Sequence, residues 1–315
     1  MSAGAPSWIK EASACLHRLA AVSRFGSRCH LALCRLVAAR LPVFRQRQLL
    51  NSLAGVRWPE AALRPQTVVV GKDTEIRLYP HNGESDFAAV LGGDLEYEEE
   101  VFKFLDARAA VYDVVVEIGA NVGLFTLYFG RQLFANGGRV YAFEPSRQAF
   151  SRLLSNLDLN ALPNVFPINA AVGAKTGFEE FHEPEGHLTN GSLVGGFAAK
   201  FSESVRSVPV LVVDAALLHG LVKEARRVLI KIDVEGYEAQ VLRALAPLVA
   251  SKRPDILLEV LPEFEVEIGE AVLYAAPGYE MHAITAQGLQ RQSTLKAVGG
   301  RDCFLTPESG LPPAN

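Results

Sequence analysis

The stretch Val114-Val115-Val116-Glu117-Ile118-Gly119-Ala120-Asn121-Val122-Gly123-Leu124-Phe125-Thr126 decides the fold. A β-branched run of strand length enters a glycine turn, and an apolar segment of helical character leaves it. Gly119 permits a backbone bend that a Cβ would obstruct, and Gly123 lets the following helix pack close to the strand. A strand joined to a helix in this way is expected to bring backbone N–H groups against a ligand. The order is an acid followed by G-x-x-x-G. Asn121 stands where the fingerprint G-x-G-x-x-G needs its second glycine for close approach of a pyrophosphate, so the pattern argues against that ligand.

Arg139-Val140-Tyr141-Ala142-Phe143 reads as the next buried strand, and Glu144 follows it directly, before Pro145. In a parallel α/β unit, an acid about 20 residues beyond the glycine loop accepts hydrogen bonds from ribose hydroxyls. The plainer alternative makes Glu144 a solvated acid favoured by the positive end of the next helix. Carboxylates at both strand ends suit a cationic or hydroxyl-bearing ligand, and S-adenosylmethionine offers both features.

A second block is more specific: Leu229-Ile230-Lys231-Ile232-Asp233-Val234-Glu235-Gly236-Tyr237-Glu238, followed by Val241-Leu242 on the same helix. It resembles the K-I-D-V-E-G-x-E segment of the FkbM family of S-adenosylmethionine-dependent methyltransferases. Further blocks agree: Leu153-Leu154-Ser155-Asn156-Leu157 with Asn160, then Asn169-Ala170-Ala171-Val172-Gly173, and later Arg253-Pro254-Asp255-Ile256-Leu257-Leu258-Glu259. The resemblance runs from about Val68 to about Pro307. It implies a Rossmann-like class I methyltransferase fold with a central, mostly parallel seven-stranded sheet flanked by helices. It also implies S-adenosylmethionine as cofactor, held by Glu117, Gly119, Ala120, Asn121, Gly123, Glu144, Pro145, Ala171 and Asp233. The acceptor it implies is a hydroxyl on a small natural product or a glycan, with no nucleic-acid partner.

A coarse pass along the chain places these motifs. Thr67-Val68-Val69-Val70 and Glu75-Ile76-Arg77-Leu78 flank a turn and read as a hairpin, and Tyr97 to Ala107 reads as an acidic helix. Strands and helices then alternate: Asp113–Glu117, a helix from Gly123, Arg139–Phe143, a helix from Ser146 to about Leu159, and Val165–Ala171. Alternation implies parallel strands with right-handed crossovers. Val208–Val213, Val228–Asp233, Ile256–Glu259 and a strand near Cys303–Leu305 complete the expected sheet. Three segments result: a basic extension over 1–60, a hairpin and helix cap over 61–110, and the cofactor-binding domain over 111–310. Ligands of open parallel sheets bind beyond the strands' C-terminal ends, so Glu117, Glu144, Ala171 and Asp233 are expected around one crevice. The third strand end carries no acid, which leaves adenine to Asn169 or a backbone carbonyl.

Methyl transfer to an alcohol requires that the acceptor proton go somewhere. Asp233 and Glu235 follow the fourth central strand and are the candidate catalytic pair. Glu235 also reads as a plain acid at a helix start. His182 and His187, in a glycine-rich region from Phe178 to Gly196 read as a loop over the site, are alternative proton acceptors. Lys231 reads as structurally paired within a buried strand. Glu259 either lines the crevice or caps its strand. Asp233, Glu235 and Glu259 form no compact metal-ligand pattern, and no metal is assigned.

Length and charge bound the rest. A chain of 315 residues with 49% hydrophobic content buries a substantial core. Cys15, Cys29, Cys34 and Cys303 show no C-x-x-C spacing, which points to a reducing compartment. No apolar run reaches spanning length and no signal-peptide core is present, so a cytoplasmic protein is expected. Residues 1–60 hold nine Lys or Arg against two acids, about +7, leaving about −11 to the remainder of a chain with net charge −4. Leucines interleave with those arginines at helical spacing. Two readings are open: the segment lies on an anionic membrane, or it packs on the catalytic domain or a partner subunit. A nicotinamide-dependent oxidoreductase and a non-catalytic Rossmann-like binding module are the competing functional readings.

Overall fold

The computed structural model describes residues 64–80, 98–185, 190–297 and 300–307. The basic segment 1–60, His187 and the start of the predicted acidic helix at Tyr97 lie outside the described residues. The described chain falls into two compact units, one holding 64–69 and 75–80, the other 70–74 and everything from 98 onward. β1 (Gln66–Val70) pairs with β2 (Thr74–Leu78) in a two-stranded sheet, the hairpin read from the two segments that flank the turn.

The second unit begins with α1 (Glu99–Asp106) and continues through β3 (Val114–Ile118), α2 (Leu124–Phe134), β4 (Arg139–Phe143), α3 (Arg147–Asn160) and β5 (Val165–Ile168). Next come β6 (Ala171–Val172), β7 (Gly177–Pro184), α4 (Gly195–Ala198), β8 (Val205–Val213) and α5 (Ala215–Val222). The chain closes with β9 (Val228–Ile232), α6 (Glu238–Lys252), β10 (Asp255–Glu259), α7 (Glu265–Ala275), β11 (Tyr279–Thr285), β12 (Gly288–Gln292) and β13 (Asp302–Pro307).

The main sheet has eight strands in the order β12-β11-β13-β10-β9-β3-β4-β5. It is α/β and Rossmann-like, as expected, but it is mixed rather than a seven-stranded, mostly parallel sheet. β10, β9, β3, β4 and β5 run parallel, whereas β13, β11 and β12 join antiparallel. Two further corrections follow. Val165–Ala171 is not one strand: the central strand stops at Ile168, and Ala171 pairs with Val212 in a separate three-stranded sheet, β6-β8-β7. Val208–Val213 belongs to that second sheet too, and Phe178 to Pro184 is its outer strand, not a loop.

The parallel strands are apolar on both faces because helices cover both. All five residues of β3 and of β9 are buried. α2 is buried on nearly every side, from Leu124 through Gly130 and again at Leu133. Its Gly130 faces Leu162 and Val165, where a Cβ would come within 2.8 Å of each side chain. The largest core cluster fills the space between the sheet and α5, α6 and α7, with Ile230, Ile232, Leu242, Leu245, Ile256, Ile268 and Val272 among its members.

Register fixes where the candidate residues sit. Ile118 is level with Phe143 on one side and Ile232 on the other, and Phe143 is level with Ile168. Gly119, Glu144, Asn169 and Asp233 therefore leave the sheet along one edge. The chain proceeds from β3 outward through β4 and β5, then returns to place β9 on the opposite flank of β3. That reversal is the topological switch point at which open α/β sheets bind ligands.

Candidate functional site

The glycine turn is built around carbonyls. Gly119 has φ +91, and a Cβ there would lie 1.7 Å from the Asp233 carbonyl oxygen. The glycine is thus required first by the chain's own β9 turn, and not by the ligand as its place in the motif suggests. Gly123, with φ +96, accommodates Leu153 of α3, whose Cδ1 would be 2.4 Å from an added Cβ. Asn156 of the same helix, fully buried, donates from Nδ2 to the Val122 carbonyl at 2.8 Å. These two contacts give a physical reason for the Leu153–Asn156 block.

The expectation that the turn points free N–H groups at a ligand is not met at Gly119, Ala120 or Asn121. The N–H groups of Gly119 and Ala120 both donate to the Phe143 carbonyl, at 3.0 and 2.9 Å. The Asn121 N–H donates to Glu144 Oε2 at 2.7 Å. Glu144 Oε1 accepts the Ser146 N–H at 2.8 Å, so each carboxylate oxygen already holds one backbone donor. Asn121 itself has φ +50, and its buried Oδ1 has no hydrogen-bond partner among the described residues. Beside these three held N–H groups stand two acceptors, the Glu144 carboxylate and Asn121 Oδ1.

Glu117 lies one residue inside β3, buried, with Oε2 accepting from Thr126 Oγ1 at 2.6 Å. Burial pushes its carboxyl up to about 7, against the pull of Lys231. Burial does the same to Glu144, also up to about 7, against its two backbone donors. Lys231 is level with Glu117 on β9 and is buried; its Nζ pairs with Asp233 Oδ2 at 2.8 Å and sits 4.4 Å from the centre of the Phe125 ring. Burial alone would depress that ammonium, but Asp233, Glu98 and Glu117 outweigh it and hold its pKa above the ordinary value. The structurally paired lysine read from the sequence is what the fold contains.

Asp233 and Glu235 share the turn after β9. The Asp233 N–H donates to the Ile118 carbonyl at 3.0 Å, which locks the turn to β3. Glu235 adopts φ +54, and burial, with Asp233 and Glu238 nearby, pushes its carboxyl up to about 8. Glu238, fully buried at the start of α6, accepts the N–H groups of Val234 and Gly236 at 3.0 and 3.1 Å. Glu259 ends β10 beside this group, its carboxyl pushed up to about 10 by burial and then by Asp233 and Glu235. Its Oε2 is buried without a hydrogen-bond partner among the described residues, while Oε1 lies 3.6 Å from Arg301. Among the described residues no group of three or more His, Cys, Asp or Glu side chains is placed to hold a metal.

Of the residues selected from sequence, Glu117, Gly119, Ala120, Asn121, Gly123, Glu144, Pro145, Asp233 and Glu235 fall in the two adjoining turns or the strand ends beside them. Ala171 does not end a central strand; Asn169 occupies the step after β5, donating to the Glu144 and Pro145 carbonyls at 2.8 and 3.1 Å. His182 lies on β7 with Nδ1 2.9 Å from Ser207 Oγ.

The family model for the methyltransferase FkbM domain matches residues 117–284, from the first acid of this edge to the end of the apolar run in β11. The chain belongs to the FkbM methyltransferase family. Among curated relatives, the hexuronic acid methyltransferase AglP of Haloferax volcanii is 28% identical over 152 residues, 48% of this chain and 58% of that protein. Methyltransferase 1 of Beauveria bassiana is 29% identical over 145 residues, 42% of this chain and 57% of that protein. The chain thus spans less than two thirds of either relative. A solved FkbM methyltransferase from Methylobacillus flagellatus aligns over 61% of this chain and 43% of that one, at 17% identity and TM-score 0.38.

Within the FkbM domain, sequence reasoning gave no role to two residues that brace the turn holding Glu235, one close in the chain and one distant. Glu238 carried a signal, an acid in the first turn of a helix. Ser192, whose Oγ donates to the Glu235 carbonyl at 2.8 Å, lies in the Phe178–Gly196 region read as a loop over the site, but nothing singled out this serine within it.

Proposed function

We propose that this FkbM-family protein is an S-adenosylmethionine-dependent O-methyltransferase acting on a hydroxyl of a glycan or small natural product. One observation carries the reading: the Gly119, Ala120 and Asn121 N–H groups are held internally, and Glu117, Glu144, Asp233 and Asn121 Oδ1 gather beside the turn as acceptors. Acceptors suit a ligand bearing an amine, a sulfonium and ribose hydroxyls, and they disfavour the pyrophosphate of a nicotinamide dinucleotide.

S-adenosylmethionine, when bound, supplies an electrophilic methyl group. Glu144, with a lone pair left on each oxygen, accepts the ribose hydroxyls. Glu117 and Asp233 face the cationic amino-acid end, and the Asn121 amide oxygen takes a further donor. Asn169, its nitrogen held by two carbonyls, accepts the adenine amino group through Oδ1. Glu235 removes the acceptor proton, since a carboxylate brought near neutrality by burial is a better base than an exposed one. Membership of a methyltransferase family supports methyl transfer, and the hexuronic acid relative supports a saccharide acceptor. The residues 1–60 supply a membrane or subunit contact in this reading, and the enzyme works in the cytoplasm.

The test is incubation with methyl-labelled S-adenosylmethionine and a panel of hexoses, hexuronic acids and small alcohols, following S-adenosylhomocysteine release. Acceptor-dependent release with label on an ether oxygen is the expected result. Label on nitrogen or carbon would reassign the acceptor atom, and no release with any acceptor would favour the non-catalytic alternative.

A further inference from the structure

Glu235 occupies a left-handed backbone conformation that is uncommon for a residue with a side chain, and such a residue persists only when its surroundings hold it. They do so from both sides. From within α6, Glu238 accepts the N–H groups of both residues that flank Glu235. From across the fold, Ser192 Oγ donates to the Glu235 carbonyl at 2.8 Å while accepting the Val194 N–H at 3.0 Å, which fixes the direction of its own proton. Ser192 is 1% exposed and is anchored to β7 by a reciprocal pair of backbone bonds with His182, at 2.8 and 3.0 Å. The same segment brings the Asn190 side chain to the Glu235 carboxylate. It also seats Phe197 against Gly236, where a Cβ would meet the Phe264 and Phe197 rings at 2.9 and 3.2 Å.

We propose that Ser192 is a positioning residue for Glu235: the segment leaving β7 is a brace by which the three-stranded sheet holds the carboxylate at the acceptor side of the site. The proposal rests on the reading of Glu235 as the base. The charged groups facing that carboxylate are Asp233 on its own turn, Glu238 at the start of α6, Glu259 at the end of β10 and Arg301 before β13. Ser192 adds no charge. Its effect is to keep the turn closed and the carboxylate poorly hydrated.

The test reads turnover and the titration of Glu235 together, the latter by carbon NMR of glutamate carboxyls with Glu235→Gln identifying the signal. In Ser192→Ala, turnover at saturating cofactor and acceptor is expected to fall about tenfold while cofactor affinity stays within about twofold. The Glu235 midpoint is expected to move toward acid pH, because a loosened turn admits water. Ser192→Thr, which keeps the hydroxyl, is expected to retain the wild-type midpoint. A folded Ser192→Ala variant with an unchanged carboxyl midpoint overturns the proposal, whether or not turnover has been found. Should Ser192→Ala not fold, Ser192→Cys, with a weaker donor of similar size, carries the same readings. Wild-type protein that releases no S-adenosylhomocysteine counts against methyl transfer itself and leaves the carboxyl titration to decide the role of Ser192.

Discussion

Lys231 shows how single residues set this site. It is a buried cation between Glu117 and Asp233, and removing one partner of such an arrangement leaves uncompensated charge in a poorly solvated place. Lys231→Met is expected to destabilise the protein by about 3 kcal/mol and to raise the Glu117 carboxyl further above 7; a melting temperature equal to wild type would show the pair to be dispensable. Glu235→Gln separates chemistry from binding. The amide keeps the size but takes no proton, so turnover is expected to fall about 10²–10⁴-fold with cofactor affinity nearly unchanged. Near-wild-type turnover with a validated acceptor would return Glu235 to a helix-start acid. That Glu117, Glu144 and Asp233 would gather along one sheet edge was legible, because each stands at or beside the end of a buried parallel strand. Ser192 and Asn190 were not, since nothing local distinguishes them from any serine and asparagine near glycines.

At the scale of elements, the two glycines of the turn are predicted to differ. A Cβ at Gly119 meets the Asp233 backbone carbonyl, and backbone between two locked strands cannot move aside. A Cβ at Gly123 meets the flexible end of Leu153, so the residual cost is mainly that of a positive φ. Gly119→Ala should therefore fail to give folded protein, whereas Gly123→Ala should fold with a lowered melting temperature; the reverse order, read by thermal denaturation, would contradict the packing described. Parallel strands β3, β4 and β9 were readable to within a residue because both of their faces are apolar. β11 and β12 were not: Gly288-Leu289-Gln290-Arg291-Gln292 is largely polar and edge-placed, and its strand character comes from pairing with β11. The helix-and-strand alternation also concealed the departure into a second sheet, since Ala171–Val172 is too short to announce itself.

For the molecule as a whole, several carboxyls are buried at one sheet edge with pKa values above that of an unfolded glutamate: Glu117, Glu144 and Glu238 near 7 and Glu235 near 8. The folded state then binds more protons than the unfolded state between about pH 4.5 and 8, so stability falls as pH rises through that window. His282, buried and with its pKa lowered, acts in the opposite sense but is one group against these four together with Glu259, Asp255 and Asp302, whose carboxyls burial also raises. Without ligand, the melting temperature is expected to be higher near pH 5.5 than near pH 8; a rise across the same interval would mean that these acids are better solvated than their burial implies. A ligand that donates hydrogen bonds and positive charge to them should relieve the penalty, which ties stability to function.

That link makes calorimetric titration with S-adenosylmethionine the most direct measurement, performed at pH 7.5 on wild-type protein and on Glu144→Ala, with NAD as the control ligand. The account predicts saturable binding of S-adenosylmethionine, no binding of NAD, and affinity lowered about ten- to a hundredfold in the variant, the loss of charge-assisted bonds to two ribose hydroxyls. Binding of NAD in preference to S-adenosylmethionine, or an unchanged dissociation constant in a folded Glu144→Ala protein, would contradict it.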